Sequence, residues 1–314
     1  MREPRAAVSR RRVDGVLLLD KPVGVSSNGA LQHAKRLFNA EKAGHTGTLD
    51  PLASGLLPIC FGEATKFAQA LLDANKGYVA TVVFGTATTT GDAEGEIVAT
   101  RPATFTPSDL QGALSSFIGT MAQVPPRHAA LKHEGRNYYD YARAGVEIPR
   151  PARVIRIDAI ELLEYAPPVA TLRIDCGKGT YVRVLAEDIG TALDTCAHLG
   201  ALRRIATGPF VIKGAVGFDA LESMTGYERD ALLLPAHAPL ADVCRLEVDA
   251  LTARHLRHGR VTLVEGAERG RYACFELGGT FIGLVEVETG GALRAVRLTQ
   301  SQSEGLGMAT PVLP

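Results

Sequence analysis

Cysteine is scarce in this sequence, and its spacing excludes two kinds of site. The 314 residues include five cysteines, which are widely spaced and form no Cys-x-x-Cys pair. This distribution argues against a disulfide framework and against a thiolate zinc site, and it favours reduced thiols. The eight histidines also lack the spacing of metal ligands. We therefore expect no metal ion.

Long apolar runs are absent as well. No stretch of the sequence is apolar over the length that a bilayer requires, and the N-terminus lacks the apolar core of a signal peptide. We therefore expect a cytoplasmic protein without a membrane partner. Hydrophobic residues make up 46% of the chain and charged residues 22%, which is typical of globular proteins.

The chain carries no excess of either charge, since 34 Lys and Arg balance 34 Asp and Glu. The charges are nevertheless unevenly distributed. The segment 127–156 holds seven basic residues against three acids, together with tyrosines at 138, 139 and 141. A local basic patch with aromatic residues favours contact with RNA, and Lys132, Arg136 and Arg143 are the candidates. An ordinary solvated surface is the alternative.

Predicted strands and helices follow one another in irregular order, without a regular β-α-β alternation. Short apolar or alternating runs predict strands, and apolar residues at helical spacing predict helices. The strands are expected at 15–20, 78–84, 154–163, 169–176 and 199–207, and the helices at 26–39, 63–74 and 107–117. This order favours an α+β fold in which helices flank a mixed, mostly antiparallel central sheet.

Composition also divides the chain into parts. Residues 1–12 contain five arginines and predict a flexible basic arm. The large domain is expected over 13–240, with an inserted loop at about 125–153 that contains four prolines. Two prolines within 233–239 indicate a linker. Residues 245–314 then form a small β-rich module of a size that can fold alone.

The segment 44–58 reads Gly-His-Thr-Gly-Thr-Leu-Asp-Pro-Leu-Ala-Ser-Gly-Leu-Leu-Pro and contains one carboxylate, Asp50. Its glycines permit backbone bends that a side chain would resist. Two interpretations are open. Asp followed by Pro is a common helix start, with the acid as the cap. The same surroundings also suit a poorly hydrated carboxylate that acts as a nucleophile.

The segment from Gly177 to Arg183 resembles a phosphate-binding loop, but it lacks the glycine spacing of nucleotide-binding motifs. We therefore exclude a nucleotide cofactor. Tyr181 and Arg183 lie on one side of the strand end if its extended conformation continues. A helix is expected to follow the turn at 177–181 and to end near Leu193. Arg183 can pair with a carboxylate and keep it ionised, although a purely structural ion pair has the same residue types.

Three more residues remain open between a structural and a functional role. The ring of Tyr78 either stacks on a base or fills the core. Lys21 stands before a proline, where it is either a surface residue of a turn or a ligand contact. His45 either orients the Asp50 segment or touches a ligand. Asp92 and Glu94 are most simply loop carboxylates.

Several motifs occur in order along the chain. They are Gly-Val-Leu-Leu-Leu-Asp-Lys-Pro at 15–22, Ser-Ser-Asn at 26–28, the segment 44–58, Gly-Glu-Ala-Thr-Lys at 62–66, Lys-Gly-Thr-Tyr-Val-Arg at 178–183 and Leu-Arg-Arg at 202–204. Together they resemble the TruB family of bacterial tRNA pseudouridine synthases, which act on uridine 55 of the TΨC arm. The resemblance covers about residues 13 to 210. The C-terminal module is similar to that family's PUA-related RNA-binding domain, with weaker motif support.

The resemblance implies a pseudouridine synthase fold, tRNA as the partner, no obligate protein partner, and neither a metal nor an organic cofactor. It implies that Asp50 is the catalytic aspartate and that Arg183 pairs with it. The segment 125–153 would grip the tRNA arm. The residues expected to bind the substrate are His45, Tyr78, Tyr181, Leu202 and Lys21.

This sequence departs from the family pattern at two places. Thr89 stands where the first of two loop acids is expected before Asp92. The motif Pro-Pro-x-[Tyr/Phe]-Ser-Ala appears as Pro-Pro-Arg-His-Ala-Ala, which puts His128 at the aromatic position. Both departures leave Asp50 untouched.

Pseudouridine formation requires the target base to leave the stack and turn inside a pocket, and aromatic or apolar side chains suit that pocket. Two other functions remain open on the sequence. The basic loop and the C-terminal module would also suit an RNA chaperone for the tRNA elbow. A glycoside-type hydrolase would need a second carboxylate near Asp50, for which Asp92 and Glu94 are the candidates.

Overall fold

The computed structural model describes residues 9–300, and they form two compact units that divide between Pro235 and Ala236. Residues 1–8 of the predicted basic arm lie outside the described residues. At the end of that arm, Arg11 donates to Asp230 at 2.6 Å and Arg12 donates to Asp14 at 3.2 Å. Within 9–300, no helix is both long and apolar enough to cross a membrane.

The first unit contains thirteen of the strands assigned within 9–300 and seven of the α-helices. The strands are β1 (Gly15–Lys21), β2 (Ala43–His45), β3 (Ala53–Phe61), β4 (Lys76–Phe84), β5 (Thr86–Thr88), β6 (Ile97–Thr100), β7 (Gly119–Gln123), β8 (Lys132–His133), β9 (Arg136–Asn137), β10 (Arg153–Ala166), β11 (Val169–Cys176), β12 (Ala197–Thr207) and β13 (Phe210–Val211). The helices are α1 (Ser27–Leu37), α2 (Ala68–Asp73), α3 (Pro107–Ser116), α4 (Tyr138–Arg143), α5 (Val182–Ala192), α6 (Phe218–Ser223) and α7 (Gly226–Ala231).

The main sheet has the strand order β1-β3-β12-β4-β11-β10-β7, with β2 on β3 and β13 on β12. All of these pairings are antiparallel except the one between β12 and β3. Helices α1, α3 and α5 contribute buried apolar residues such as Leu31, Leu110 and Leu185 to the core on this sheet. The predicted α+β fold with a mostly antiparallel sheet is therefore confirmed.

Local sequence signals explain several element boundaries. Ser26 caps α1 by accepting a hydrogen bond from the backbone of Gly29. Thr106 and Asp109 form a capping box at the start of α3, with a proline at the first helical position. The predicted helix at 63–74 is a 3₁₀ helix over Gly62–Phe67 followed by the short α2.

The structure corrects the helix-cap interpretation of Asp50. No helix follows Pro51, because the chain makes a bend and then enters β3, which is buried along most of its length. Asp50 therefore lies in the loop between β2 and β3. The start of β3 pairs in parallel with Leu202–Arg204 of β12. The Asp50 loop therefore enters the main sheet beside β12.

The extended conformation of β11 does not continue through Tyr181 and Arg183, whereas the helix expected after the turn at 177–181 is present as α5. The strand β11 ends at Cys176, a turn follows, and Arg183 lies in the first turn of α5, for which Tyr181 is the N-cap residue. The two side chains therefore do not project from one side of a strand. They reach the same cavity by a different route, as described below.

The second unit spans the described residues 236–300. Its strands are β14 (Arg245–Val248), β15 (Thr262–Leu263), β16 (Gly270–Glu276), β17 (Phe281–Val287) and β18 (Ala292–Leu298), and its one α-helix within these residues is α8 (Ala250–Arg257). The strands form one sheet in the order β14-β16-β17-β18-β15. Val285 and Leu293 pack with Leu256 of α8 in a separate core. The C-terminal part is therefore β-rich, as predicted.

Candidate active site

Asp50 lies on the wall between two cavities of the first unit. The smaller cavity has a volume of about 250 Å³, and its lining includes Tyr78, Tyr181 and Leu202. The larger has a volume of about 550 Å³, and its lining includes His45. Both cavities share Asp50 and Arg183 among their lining residues. A ligand in either cavity can therefore reach the same carboxylate.

Arg183 connects two carboxylates at this wall. Its Nε lies 3.1 Å from Oδ2 of Asp50, and its Nη1 lies 3.4 Å from Oδ2 of Asp92. Arg183 and Asp92 are almost completely buried, whereas the Asp50 side chain keeps 40% of its area exposed. Asp50 is therefore the member of this group that can touch a substrate.

The remaining contacts of Arg183 fix its orientation. Nη1 donates to the carbonyl oxygen of Thr90 at 3.1 Å, and Nη2 donates to that of His128 at 2.9 Å. Asp92 is held in turn by the Thr90 hydroxyl at 2.6 Å and by the backbone N–H of Glu94 at 3.1 Å. The guanidinium is therefore held in one orientation toward Asp50.

Burial and charge act in opposite directions on Asp50. Burial raises the pKa of the Asp50 carboxyl above its ordinary value, and the nearby Asp92 raises it further. The Arg183 guanidinium lowers the same pKa, but the net direction is upward. The sequence-based prediction that Arg183 favours the ionised form agrees with the direction of its effect. It omitted the larger effect of burial.

Backbone contacts hold the Asp50 loop in place. The hydroxyl of Ser27, which is buried at the start of α1, accepts from the N–H of Leu49 at 2.7 Å and donates to the Leu49 carbonyl at 2.9 Å. The carbonyl of Asp50 accepts from the N–H of Ala53 at 3.1 Å. Ser27 belongs to the Ser-Ser-Asn motif, so its presence was visible in the sequence, whereas its partner 22 residues away was not.

The smaller cavity presents the surface that a planar base requires. Tyr78 lies on β4 with its phenol buried, and burial raises its pKa. Leu202 projects from β12. Gln123 of β7 fixes the backbone of Tyr181, accepting from its N–H at 2.9 Å and donating to its carbonyl at 3.2 Å. Three elements distant in sequence thus bring these side chains to one cavity with Asp50.

The larger cavity brings together polar residues from several segments of the chain. Its lining includes Ser26 and Asn28 beside α1, His45 of β2, and Arg143 of α4. Burial and the charge of Arg204 lower the pKa of His45. Its Nδ1 atom is buried and has no hydrogen-bond partner within the part of the chain that the structure describes.

Lys21, one of the predicted substrate contacts, lies inside the protein. Lys21 is fully buried, and its Nζ donates to the carbonyls of Pro22 at 2.9 Å and Val25 at 2.6 Å. Burial lowers the pKa of Lys21 to about 8. Lys21 lines neither cavity, so this placement favours a structural role near Asp50 over the predicted substrate contact.

The basic residues of the insertion contact its tyrosines. The Arg136 guanidinium lies 4.9 Å from the centre of the Tyr141 ring, and that of Arg143 lies 5.5 Å from the Tyr139 ring. Lys132 is exposed on β8. Of the three predicted RNA contacts, only Arg143 lines a cavity beside Asp50. The other two lie on the surface of the insertion.

Among residues 9–300, no group of three or more His, Cys, Asp or Glu side chains is arranged to hold a metal ion. The chemical groups at the site are a partly exposed carboxylate, a buried guanidinium, phenols and aliphatic surface. Such a set can hold a planar ligand and bring one carboxylate to it. It provides general acid–base or nucleophilic chemistry.

Two residues of this site were missed by the sequence reasoning. Arg204 is almost completely buried and lines the smaller cavity, as does Lys76, whose pKa burial lowers to about 8. Arg204 belongs to the Leu-Arg-Arg motif. Two consecutive arginines on a strand point to opposite faces, so one of them had to face inward. That alternation was the available signal.

Two solved structures share the fold of this chain. The structure titled "Crystal Structure of a Cbf5-Nop10-Gar1 Complex" matches with a TM-score of 0.70 and 26% identity, covering 90% of this chain and 84% of that one. A second, "Structure of H/ACA RNP bound to a substrate RNA containing 2'-deoxyuridine", matches with a TM-score of 0.70 and 25% identity over 92% of this chain and 86% of that one.

Two family models match adjacent parts of the chain. The N-terminal domain of the TruB family pseudouridylate synthases matches residues 35–182, and the C-terminal domain of tRNA pseudouridylate synthase B matches residues 183–241. Fold and site thus define a pseudouridine synthase, and such enzymes are isomerases. Within that class, the chain belongs to the TruB family. The family predicted from the sequence motifs is confirmed.

Curated relatives agree over nearly the whole chain. A protein of Thiobacillus denitrificans named tRNA pseudouridine synthase B is 51% identical over 282 residues, which cover 90% of this chain and 95% of that protein. A protein of the same name from Methylobacillus flagellatus is 49% identical over 296 residues, covering 94% and 98% of the two chains.

Proposed function

We propose that this protein is a tRNA pseudouridine synthase that isomerises uridine 55 in the TΨC loop of tRNA, with Asp50 as the catalytic residue. The observation that carries the proposal is the position of Asp50, which is paired with Arg183 and lies at the edge of the cavity lined by Tyr78 and Tyr181. The names of the curated relatives support tRNA as the substrate.

The reaction is balanced within one nucleotide. The bond from N1 of uracil to C1′ of ribose breaks, a bond from C5 to C1′ forms, the proton on C5 leaves and N1 gains a proton. No electrons are gained or lost overall. The protein must therefore supply a group at the junction of sugar and base, a place for the detached base to turn, and exclusion of water.

Asp50 has the position and chemistry for the first task. Its ionised carboxylate either attacks the sugar or the base, or removes a ribose proton, and all three routes begin with the same group at the same place. Arg183 keeps the carboxylate oriented and opposes its protonation. Because Arg183 is itself buried and fully engaged, we assign it to positioning Asp50 and not to binding RNA phosphates.

The smaller cavity suits the second task. Flipping a base out of its stack costs a few kcal/mol, and aromatic contacts inside a pocket offset that cost. Tyr78, Tyr181 and Leu202 provide flat and apolar surface beside Asp50. We propose that they hold the uracil ring while it turns, and that His45 contacts the RNA from the larger cavity.

The RNA itself is held by other parts of the chain in this proposal. The catalytic domain is assigned to 13–240, and its insertion at 125–153 contributes cationic and aromatic side chains toward the tRNA arm. Residues 245–314 are assigned to a PUA-like RNA-binding domain, which the β-rich fold of the described residues 245–300 supports. We propose a cytoplasmic enzyme that acts without an obligate protein partner.

The test is to incubate an unmodified tRNA transcript with the purified protein and map pseudouridine at each position. We expect one modified position, in the TΨC loop, and no free uracil. Pseudouridine elsewhere would contradict the choice of nucleotide. Released uracil would indicate a glycoside-type hydrolase instead. In the structure Asp92 is buried and engaged by its own loop, which does not favour it as the second carboxylate of a hydrolase.

An RNA chaperone for the tRNA elbow is the second candidate, since the basic insertion and the C-terminal unit serve binding as well as chemistry. An inactive variant that still promotes tRNA folding would show that both functions coexist. Folding activity without any pseudouridine formation by the wild-type protein would replace the proposed function.

A further inference from the structure

Arg204 is an almost completely buried arginine of β12, with 1% of its surface exposed. Its Nε donates to the carbonyl of Leu56 on β3 at 2.7 Å, and its Nη2 donates to the carbonyl of Gly47 at 3.2 Å. Arg204 also lies directly opposite Tyr78 in the antiparallel pairing of β12 with β4. Arg204 therefore connects the Asp50 loop with the strand that follows it, and it does so at the position on the sheet that faces Tyr78 of the smaller cavity.

The charge of Arg204 is not paired with a carboxylate. Within residues 9–300, no Asp or Glu oxygen lies within ion-pair distance of its guanidinium. A buried cation without a counter-ion is unfavourable, and an apolar residue of similar volume is often tolerated better. A purely space-filling role does not account for an arginine here. Its planar fork, which reaches several acceptors at fixed angles, does.

The glycines of the Asp50 segment fit around Arg204. A Cβ atom on Gly55, where φ is +100°, would lie 2.3 Å from the carbonyl oxygen of Arg204. A Cβ atom on Gly47, where φ is +110°, would lie 3.4 Å from Nη1 of Arg204. The close approach between β3 and β12 thus requires glycine at 55. The guanidinium of Arg204 therefore packs against Gly47, in the loop that carries Asp50.

Arg204 also influences the charge of its neighbours. Its positive charge lowers the pKa of His45, and it opposes the rise in the pKa of Tyr78 that burial causes. It therefore disfavours a positive charge at His45, which lines the larger cavity together with Asp50. The effect of Arg204 on these pKa values adds to its hydrogen bonds with the backbone.

We propose that Arg204 is a positioning residue, whose guanidinium fixes the Asp50 loop, through Gly47, relative to the phenol of Tyr78 in the base pocket. The inference rests on the proposed function, because it assumes that Asp50 and Tyr78 act on the same nucleotide. Arg204 does not touch the substrate in this account. It holds the carboxylate of Asp50 at a fixed distance from Tyr78 in the base pocket.

The neighbouring Arg203 provides a matched control. It has the same charge and lies on the same strand, but it pairs with Asp20 at 2.6 Å on the opposite face and lines neither cavity. Arg203→Met therefore removes a cation and an ion pair without touching the Asp50 loop. We expect its rate of pseudouridine formation to equal that of the wild-type protein.

The experiment measures single-turnover rates and tRNA affinity for Arg204→Met, Arg204→Lys and Arg203→Met. We expect Arg204→Met to lose about 100-fold in rate, because a small displacement of a reacting group has an effect of that size. The Kd for tRNA should stay near the wild-type value. Arg204→Lys, which keeps the charge without the fork, should fall between the two and provides the test if the methionine variant does not fold.

A second measurement separates positioning from general structural support. If Arg204 acts partly through the phenol, the double variant Arg204→Met with Tyr78→Phe loses less than the product of the two single losses. A folded Arg204 variant as fast as Arg203→Met would overturn the inference, as would a rate loss matched by an equal loss in tRNA affinity. A wild-type protein that forms no pseudouridine would instead overturn the proposed function.

Discussion

Two buried arginines, Arg183 and Arg204, contact the Asp50 loop, and they differ in the groups that their charges meet. Arg183 lies at the start of α5, next to the carboxylates of Asp50 and Asp92. Arg204 lies on β12 and is bonded to main-chain carbonyls, with no carboxylate in reach among residues 9–300. The charge of the first is compensated, and that of the second is not.

The difference assigns different tasks to the two side chains. Arg183 acts on the ionisation of Asp50, because its charge lowers the pKa of a carboxyl that burial raises. Arg204 acts on the path of the backbone, because its hydrogen bonds hold Gly47 and Leu56. Changes at Arg183 should therefore alter chemistry through charge. Changes at Arg204 should alter it through geometry.

The largest effect in this comparison is expected for Arg183→Ala. Removing the guanidinium leaves Asp92 buried without its cation and leaves Asp50 without its orienting partner, so we expect the single-turnover rate to fall on the order of 1,000-fold. The Kd for tRNA should change far less, since Arg183 is engaged inside the protein. Filter binding and single-turnover kinetics on the same transcript measure both quantities.

Arg183→Lys is the matched variant for this prediction. A lysine keeps the positive charge but reaches fewer of the four acceptors now held by the guanidinium, so it should restore only part of the rate. Equal losses of affinity and turnover in Arg183→Ala would contradict the separation between the two arginines.

The acid side of the pH–rate profile is expected to give a smaller effect. Asp50 must be ionised to act, and its pKa is raised by burial, so the rate should fall with decreasing pH earlier than for an ordinary carboxyl. Asp92 raises the same pKa, so Asp92→Asn should move this fall to lower pH. The profile of the chemical step, measured at saturating enzyme, checks the direction. A shift to higher pH would show that Asp92 acts mainly by holding Arg183.

Much of the fold followed from local patterns in the sequence. The strands 78–84, 169–176 and 199–207 appear within a few residues of their predicted ends, because alternation and apolar runs are local signals. Ser26 and Thr106 cap the helices that were predicted at 26–39 and 107–117. The parallel pairing of β12 with β3 was not predictable, since it joins residues about 150 positions apart.

In the site, too, residues with a local sequence signal were predicted, whereas contacts between residues distant in sequence were not. Asp50 was predicted as the candidate acid, but its helix-cap interpretation was wrong because β3 follows it in place of a helix. Arg183 lies in the helix that was expected after the turn at 177–181, and not on a continuing strand end. Arg204 was overlooked because its partners at 47 and 56 become neighbours only through the sheet.

The smallest effect on chemistry is expected for the basic side chains of the insertion, since Lys132, Arg136 and Arg143 form no hydrogen bond with Arg183 or Arg204 among the described residues. Lys132→Gln, Arg136→Gln and Arg143→Gln should each weaken tRNA binding and lower the slope of log Kd against log salt by about 0.7–0.9 if one phosphate contact is lost. Lys213→Gln, an exposed lysine outside the insertion, is the control. An unchanged slope in all three variants would contradict a role of the insertion in RNA binding.

The most direct test of the account concerns Asp50 itself. A tRNA transcript is incubated with wild-type or Asp50→Asn protein, tRNA binding is measured for both, and pseudouridine is mapped in the recovered RNA. We expect the wild-type protein to modify one uridine of the TΨC loop, and the variant to bind the transcript without forming any pseudouridine. Pseudouridine formed by Asp50→Asn at the same position would contradict the assignment of Asp50 as the catalytic residue.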